Sequence, residues 1–237
     1  MKYYAHFGHK QFILCLGWQG NVIKDYFLNY NEYLSNDFVL SNGGASVKLL
    51  ASDIQDWDIT FVDTGVASNI GERLKAVEPY LADEETFLAN YSDGLCDLEL
   101  PTLVDFHEQQ QAIGSFIAVR PNMSLHEVKV RPDGLVDDIG PISACDVWIN
   151  GGYFVFNRQI FEYLGPQEDL VAEPFQRLIV DGQLSAYKYV GYWGCMDTYK
   201  EKQRLDDMVA RGDTPWQLWR PTRSWPRQTR STSKTVR

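Results

Sequence analysis

The sequence predicts an α/β protein: a doubly wound, mainly parallel sheet wrapped by helices, with a smaller β-rich lobe attached. Three observations carry this. Over the first half, short apolar runs rich in β-formers alternate with stretches of helical period, the arrangement that stacks strand-helix units around a parallel sheet. From Ile113 onward several β segments follow one another, which implies a second lobe. The length of 237 residues suits one substantial core, and no internal repeat suggests an array.

Phe12 to Leu16 (FILCL) reads as a buried strand. Gly17 and Gly20 bracket a turn, after which Asn21 is positioned to cap a helix whose Val22, Tyr26 and Phe27 recur at helical spacing. Phe38 to Leu40 and Val47 to Leu50 form two short strands around Ser41-Asn42-Gly43-Gly44, a hairpin turn. Ile59 to Val62 is a strand, and a helix follows from Gly71 to Val77, ended by Pro79. Phe87 to Tyr91 is a strand running into Ser92-Asp93-Gly94, and Leu100 to Gln111 is a helix with Pro101 in its first turn. The later β segments are Phe116 to Val119, Glu127 to Val130, Leu135 to Ile139 and Trp148 to Phe156. Two short helices around Phe161 and Phe175, a strand from Ser185 to Val190 and a charged helix from Thr198 to Ala210 complete the body.

The hydrophobic fraction of 44% and the aromatic fraction of 14% are those of a packed protein. No run reaches the roughly 20 apolar residues that cross a bilayer, and MKYYAHFGHK does not resemble a secretory signal, so a soluble cytoplasmic protein is expected. Four singly scattered cysteines, Cys15, Cys96, Cys145 and Cys195, read as thiols, mostly in buried structural roles. The net charge of −10 is uneven, because residues 220–237 carry six basic residues and no acidic one. Residues 1–219 form the folded domain on this reading, and the basic tail is an unstructured extension. Its acidic body excludes nucleic acid as a partner and suits polyphosphates held through a divalent metal.

Doubly wound sheets bind ligands at the carboxyl ends of their strands, so chemistry is sought there. Asp93 follows a strand and precedes Gly94, where a carboxylate would face the crevice; taken locally, Asp-Gly is first of all a turn. Asp197, in Trp193-Gly194-Cys195-Met196-Asp197-Thr198, precedes a helix and reads locally as its N-cap. The polar loop Asp63 to Leu74 offers backbone NH groups, hydroxyls and the Arg73 fork to a nucleotide, or is an ordinary capped helix start. Trp148-Ile149-Asn150-Gly151-Gly152 puts paired glycines inside a β run, marking either a ligand's close approach or a bulge.

Together, six ordered blocks resemble the hexose-1-phosphate nucleotidyltransferases, most closely those of the glucose-1-phosphate cytidylyltransferase kind. They are residues 8–30, 61–77, NYSDG (90–94), WINGGYFVF (148–156), EPFQRL (173–178) and YWGCMDT (192–198), within a resemblance spanning residues 1–219. The resemblance implies a Rossmann-like sheet with a sugar-binding lobe, soluble and homo-oligomeric. It also implies in-line attack of a hexose 1-phosphate on the α-phosphorus of a nucleoside triphosphate, releasing pyrophosphate. By position, Asp93 and Asp197 match the carboxylates that hold Mg2+, Ser68, Gly71 and Arg73 the nucleotide grip, and Asn150, Gly151 and Glu173 the wall for sugar hydroxyls. The nearest resemblance makes CTP and glucose 1-phosphate the expected pair.

Two family features are not found. The family's GGxGTRL loop and PKP segment have no counterpart, which implies a missing first strand-loop-helix unit and, for Phe12 to Leu16, an uncovered sheet edge. Either the reading frame was opened at an internal methionine, or the chain is a truncated paralogue that binds without catalysing; without the phosphate cradle, the 237-residue chain alone is expected to be nearly inactive. Where relatives carry an EKP lysine for the sugar phosphate, this chain reads DDIGPISACDV, and no lysine occurs between Lys129 and Lys188. From another class, a metal-dependent glycosyltransferase would use a similar lobe and acid, and pyrophosphate release separates the two.

Overall fold

The alternation of strands and helices is realised in a computed structural model that describes residues 1–122 and 125–220, so most of the basic tail lies outside the described residues. In chain order the elements are α1 (Lys2–His6), β1 (Gln11–Leu16), α2 (Gly20–Leu28), β2 (Phe38–Ser41), β3 (Ser46–Leu49), β4 (Asp58–Asp63), α3 (Ile70–Ala76), β5 (Thr86–Asn90), β6 (Gly94–Cys96), α4 (Leu100–Gln110), β7 (Gly114–Val119), β8 (His126–Val130), β9 (Val136–Pro141), β10 (Ile149–Asn157), α5 (Glu173–Val180), β11 (Leu184–Tyr189), β12 (Trp193–Cys195) and α6 (Tyr199–Arg211). Among the described residues no helix is long and apolar enough to cross a membrane.

The main sheet runs β11-β7-β10-β5. β11 lies parallel to β7, whereas β10 is antiparallel to both β7 and β5. A second parallel pair, β1 with β4, continues the α/β layout. The sheet is thus mixed: β10, a nearly unbroken buried run, stands against both of its neighbours. Of the segments that suggested a separate lobe, β8 and β9 form an exposed hairpin of their own, while β7 and β10 join the main sheet.

Alternation along the strands sorts side chains onto two faces. Ile117, Val119, Tyr153 and Val155 pack with Tyr3, Tyr4 and Leu103 on one side. Phe154, Phe156 and Phe87 pack with Leu74, Phe175 and Leu178 on the other. α3 starts on a capping box, the Asn69 side chain accepting from Glu72 N and the Glu72 carboxylate from Asn69 N. α6 starts likewise on Thr198 and Glu201, so the cap is Thr198 and not Asp197. α2 is entered through Gln19 in the left-handed region and not through an Asn21 cap. Cys96 and Cys195 are buried, as expected of structural thiols; Cys15 is exposed.

β1 and β5 are both end strands, and both line one cleft of about 1570 Å³. Its walls include Phe12, Leu14 and Leu16 from β1 and Phe87 from β5. Arg73, Ser92 and Gly94 open onto the same space.

Candidate active site

A three-residue ladder assembles the centre. β6 pairs antiparallel with β12, Gly94 opposite Cys195, and Met196 N donates to Asp93 O at 3.1 Å just beyond the ladder's end. Two acids about a hundred positions apart in the chain thereby leave the same end of one strand pair. Burial raises the Asp93 carboxyl above its usual range, and the adjoining Asp197 carboxylate adds repulsion and a hydrogen bond in the same direction. Such a pair is short of positive charge.

Cys195 Sγ lies 3.3 Å from Asp197 Oδ2. Burial first, then the Asp197 carboxylate, pushes that thiol up to about 12, so it stays protonated and donates to Asp197. Cys195, Asp197 and Glu201 offer ligand atoms within 4.8 Å of one another. Glu201 is committed, however: its Oε2 accepts from Asp197 N, Thr198 N and Thr198 Oγ1 at 3.1, 2.8 and 3.1 Å. The carboxylates of Asp93 and Asp197 stand together, and their oxygens suit a hard divalent ion.

Tyr91 links the acids to the neighbouring wall. Burial raises its phenol, with further repulsion from Asp169 and Asp93, while the Asn150 amide works against it. Asn150 Nδ2 lies 3.5 Å from the Tyr91 hydroxyl, and Asn150 Oδ1 accepts from Gly152 N at 2.9 Å. The glycine pair is needed here. The β10–β7 register slips between Asn150 and Phe154, and Gly152 sits at φ +73°, where a Cβ would come 2.8 Å from the Tyr91 ring. At Gly151 a Cβ would meet Ile117 Cγ1 at 2.6 Å, and the Gly151 carbonyl accepts from Trp193 Nε1 at 2.8 Å. Gly151 therefore braces the acid-bearing strand pair against the wall.

The loop before α3 is bound inward. Arg73 Nη1 donates to Thr64 Oγ1 at 2.8 Å, and its guanidinium lies so close over Gly17 that a Cβ there would be 2.6 Å away. Ser68 Oγ donates to Thr64 O. Gly71 faces the Glu168 carbonyl, 2.3 Å from where its Cβ would stand, so α3 approaches that backbone only because no side chain stands here. Of the residues singled out in the sequence, Asp93 and Asp197 meet, Asn150 and Gly151 adjoin them through Tyr91 and Trp193, and Arg73 shares the cleft with Ser92 and Gly94. Glu173 is exposed in the first turn of α5, and no hydrogen bond joins it to Asn150 among the described residues. Tyr91, Asp169 and Glu201 were not singled out, although Thr198-x-x-Glu201 is a capping-box signature readable from sequence.

No protein-family model matches the chain. It is 33% identical over 221 residues to the "Probable glucose-1-phosphate cytidylyltransferase" of Bacillus subtilis, a match covering 92% of this chain and 85% of the relative. It is 32% identical over 220 residues to the glucose-1-phosphate cytidylyltransferase of Salmonella typhimurium, again covering 92% and 85%. Among solved structures, UDP-glucose pyrophosphorylase in complex with UDP-glucose superposes with a TM-score of 0.61 at 11% identity, covering 89% of this chain and 84% of that one. HddC from Yersinia pseudotuberculosis gives 0.60 at 13% identity, covering 88% and 83%. These two likenesses establish the Rossmann-like fold.

Proposed function

The chain belongs to the glucose-1-phosphate cytidylyltransferase family and is a nucleotidyltransferase acting on a sugar 1-phosphate, and from that premise we propose that it joins CTP to glucose 1-phosphate, giving CDP-glucose and pyrophosphate. The observation that carries the reading is the meeting of Asp93 with Asp197 at the end of the β6–β12 ladder. On this reading a phosphate oxygen of glucose 1-phosphate attacks the α-phosphorus of CTP. The bond from that phosphorus to the bridging oxygen breaks as the new one forms, and its electron pair leaves with pyrophosphate.

Asp93 and Asp197 would hold Mg2+, which when bound supplies charge neutralisation for the phosphates. The remaining work falls to positioning. Asn150 and Tyr91 line the wall assigned to the sugar, with Gly151 keeping it against the acids, and Glu173 is assigned as acceptor for a sugar hydroxyl. Ser68, Gly71 and Arg73 are assigned to the nucleotide.

The test is incubation with CTP, glucose 1-phosphate and Mg2+ while pyrophosphate is followed. Release that requires both substrates is expected, and release counted over hours suffices; no release here, with a nucleoside diphosphate freed when a nucleotide sugar and a sugar acceptor are supplied instead, would point to sugar transfer. For the nucleotide grip, Arg73→Ala is expected to weaken CTP binding by about 1 to 3 kcal/mol, the range for a lost charged hydrogen bond. Titration calorimetry checks this. Because Arg73 also holds Thr64, melting curves accompany it, and unchanged affinity removes Arg73 from the site.

A further inference from the structure

We propose that Arg120 and Lys188, gathered at the Trp148 indole, bind the phosphate of the sugar 1-phosphate. The inference rests on the substrate class of the preceding reading, and it answers a gap in the sequence: no lysine occurs between Lys129 and Lys188. Strand register brings the three together. β11 runs parallel to β7 with Lys188 beside Ala118, and Arg120 follows β7 directly. β10 begins at this same end with Asn150 opposite Ala118. Alternation then places Ala118, Arg120, Lys188, Trp148 and Asn150 on one face, at the carboxyl ends of β7 and β11. That is where sheets of this type receive ligands, and Asn150 is already a member of the wall beside Tyr91.

The charges there are not balanced. The Arg120 guanidinium carbon lies 4.6 Å from the indole centroid and the Lys188 ammonium 4.9 Å from it. Among the described residues one carboxylate is paired with these two cations, that of Asp146, whose Oδ1 is 3.0 Å from Arg120 Nη2 and 3.2 Å from Trp148 Nε1. Its side chain is 85% exposed, so it holds Arg120 weakly and can yield to a stronger acceptor, while Arg120 Nη1 donates to the Cys145 carbonyl and keeps the guanidinium in place. Among the described residues Lys188 makes no hydrogen bond and no ion pair; its contact is with the ring. Two cations kept close to one ring favour an anion that can accept from both, and a phosphate monoester carries the needed charge and oxygens. In a chain of net charge −10 this is an unusual place to concentrate positive charge.

The experiment is calorimetric titration of the whole protein with glucose 1-phosphate, inorganic phosphate and glucose, for the native chain and for Lys188→Gln, Arg120→Gln and Lys188→Arg. Both glutamine variants are expected to bind glucose 1-phosphate and phosphate about tenfold more weakly or worse, with CTP affinity kept and Lys188→Arg close to native. Lys188 is exposed, so its replacement leaves folding intact, which a melting curve checks. Glutamine variants that bind glucose 1-phosphate as the native chain does, or a native chain that binds neither phosphate compound, would overturn the proposal. Binding lost in the variants while pyrophosphate is never released from CTP would uphold the anion site and sink the cytidylyltransferase reading instead.

Discussion

Asp197→Asn is expected to lower metal-dependent pyrophosphate release by at least about 10²-fold, because a carboxylate aimed at a phosphate-bound cation supplies several kcal/mol of charge stabilisation. Asp93→Asn should do the same. Asp93→Asn separates function from folding through its opposite effect on the metal-free protein. Asp93 is raised by burial first and by Asp197 second, so the native state holds its proton more tightly than the unfolded chain does. Above the usual carboxylate value of 3.8 the native chain binds more protons than the unfolded one, and stability therefore falls as pH rises through the raised value. Removing the charge as Asn relieves that penalty at neutral pH. In the presence of a chelator, Asp93→Asn is expected to melt at a higher temperature than the native chain, and to lose the further stabilisation that added Mg2+ gives. A variant that kept its turnover would remove Asp93 and Asp197 from the centre, whatever its melting temperature.

Phe154→Ala is expected to cost about 3 to 5 kcal/mol, the range for emptying the site of a buried aromatic ring. Phe154 is 2% exposed, stacks on Phe156 at 5.3 Å and 13°, and meets the ring of Tyr91 edge-on at 5.2 Å. Phe116 and Phe175 close round it at 6.3 and 6.2 Å. Rings held from four sides leave a void that neighbours cannot collapse into. For a domain of this size the melting temperature should drop by on the order of 10 °C. Sugar phosphate affinity should weaken too, since Tyr91 loses the ring it leans on; a loss under about 1 kcal/mol would show that the cluster repacks.

What the sequence disclosed follows from the range of the forces involved. FILCL and the Leu100 helix are written in neighbouring residues and are found where the sequence puts them, whereas the cap of α6 stands one residue later than expected, at Thr198 and not Asp197. The direction of β10 is not so written, because it is set by pairing with β5 and β7, which lie far away in the chain. Asp93 and Asp197 each look local, a turn and a cap. What joins them is a ladder of three residues, too short to leave a period in the sequence. Tyr91 carried no signal of its own, and becomes part of the wall only because the bulge at Gly151 and Gly152 makes room for its ring. Gly71 shows the reverse case, a motif residue whose surroundings here are the Glu168 backbone.

The cleft between β1 and β5 has a kinetic consequence. Among the described residues no backbone ladder crosses it, so β1 and β4 are tied there to the remaining strands through side chains such as Ile13 and Val62 and through α3, not through amide hydrogen bonds. Backbone ladders and dense packing are what make a fold open all at once; where only side-chain packing bridges, one part can open before the other. The amides of β1 and β4 should then exchange with solvent deuterium through a partial opening, at free energies below those of β7 and β10. Anything that settles between the two strands would fuse these units into one, and would register first as slowed exchange along β1.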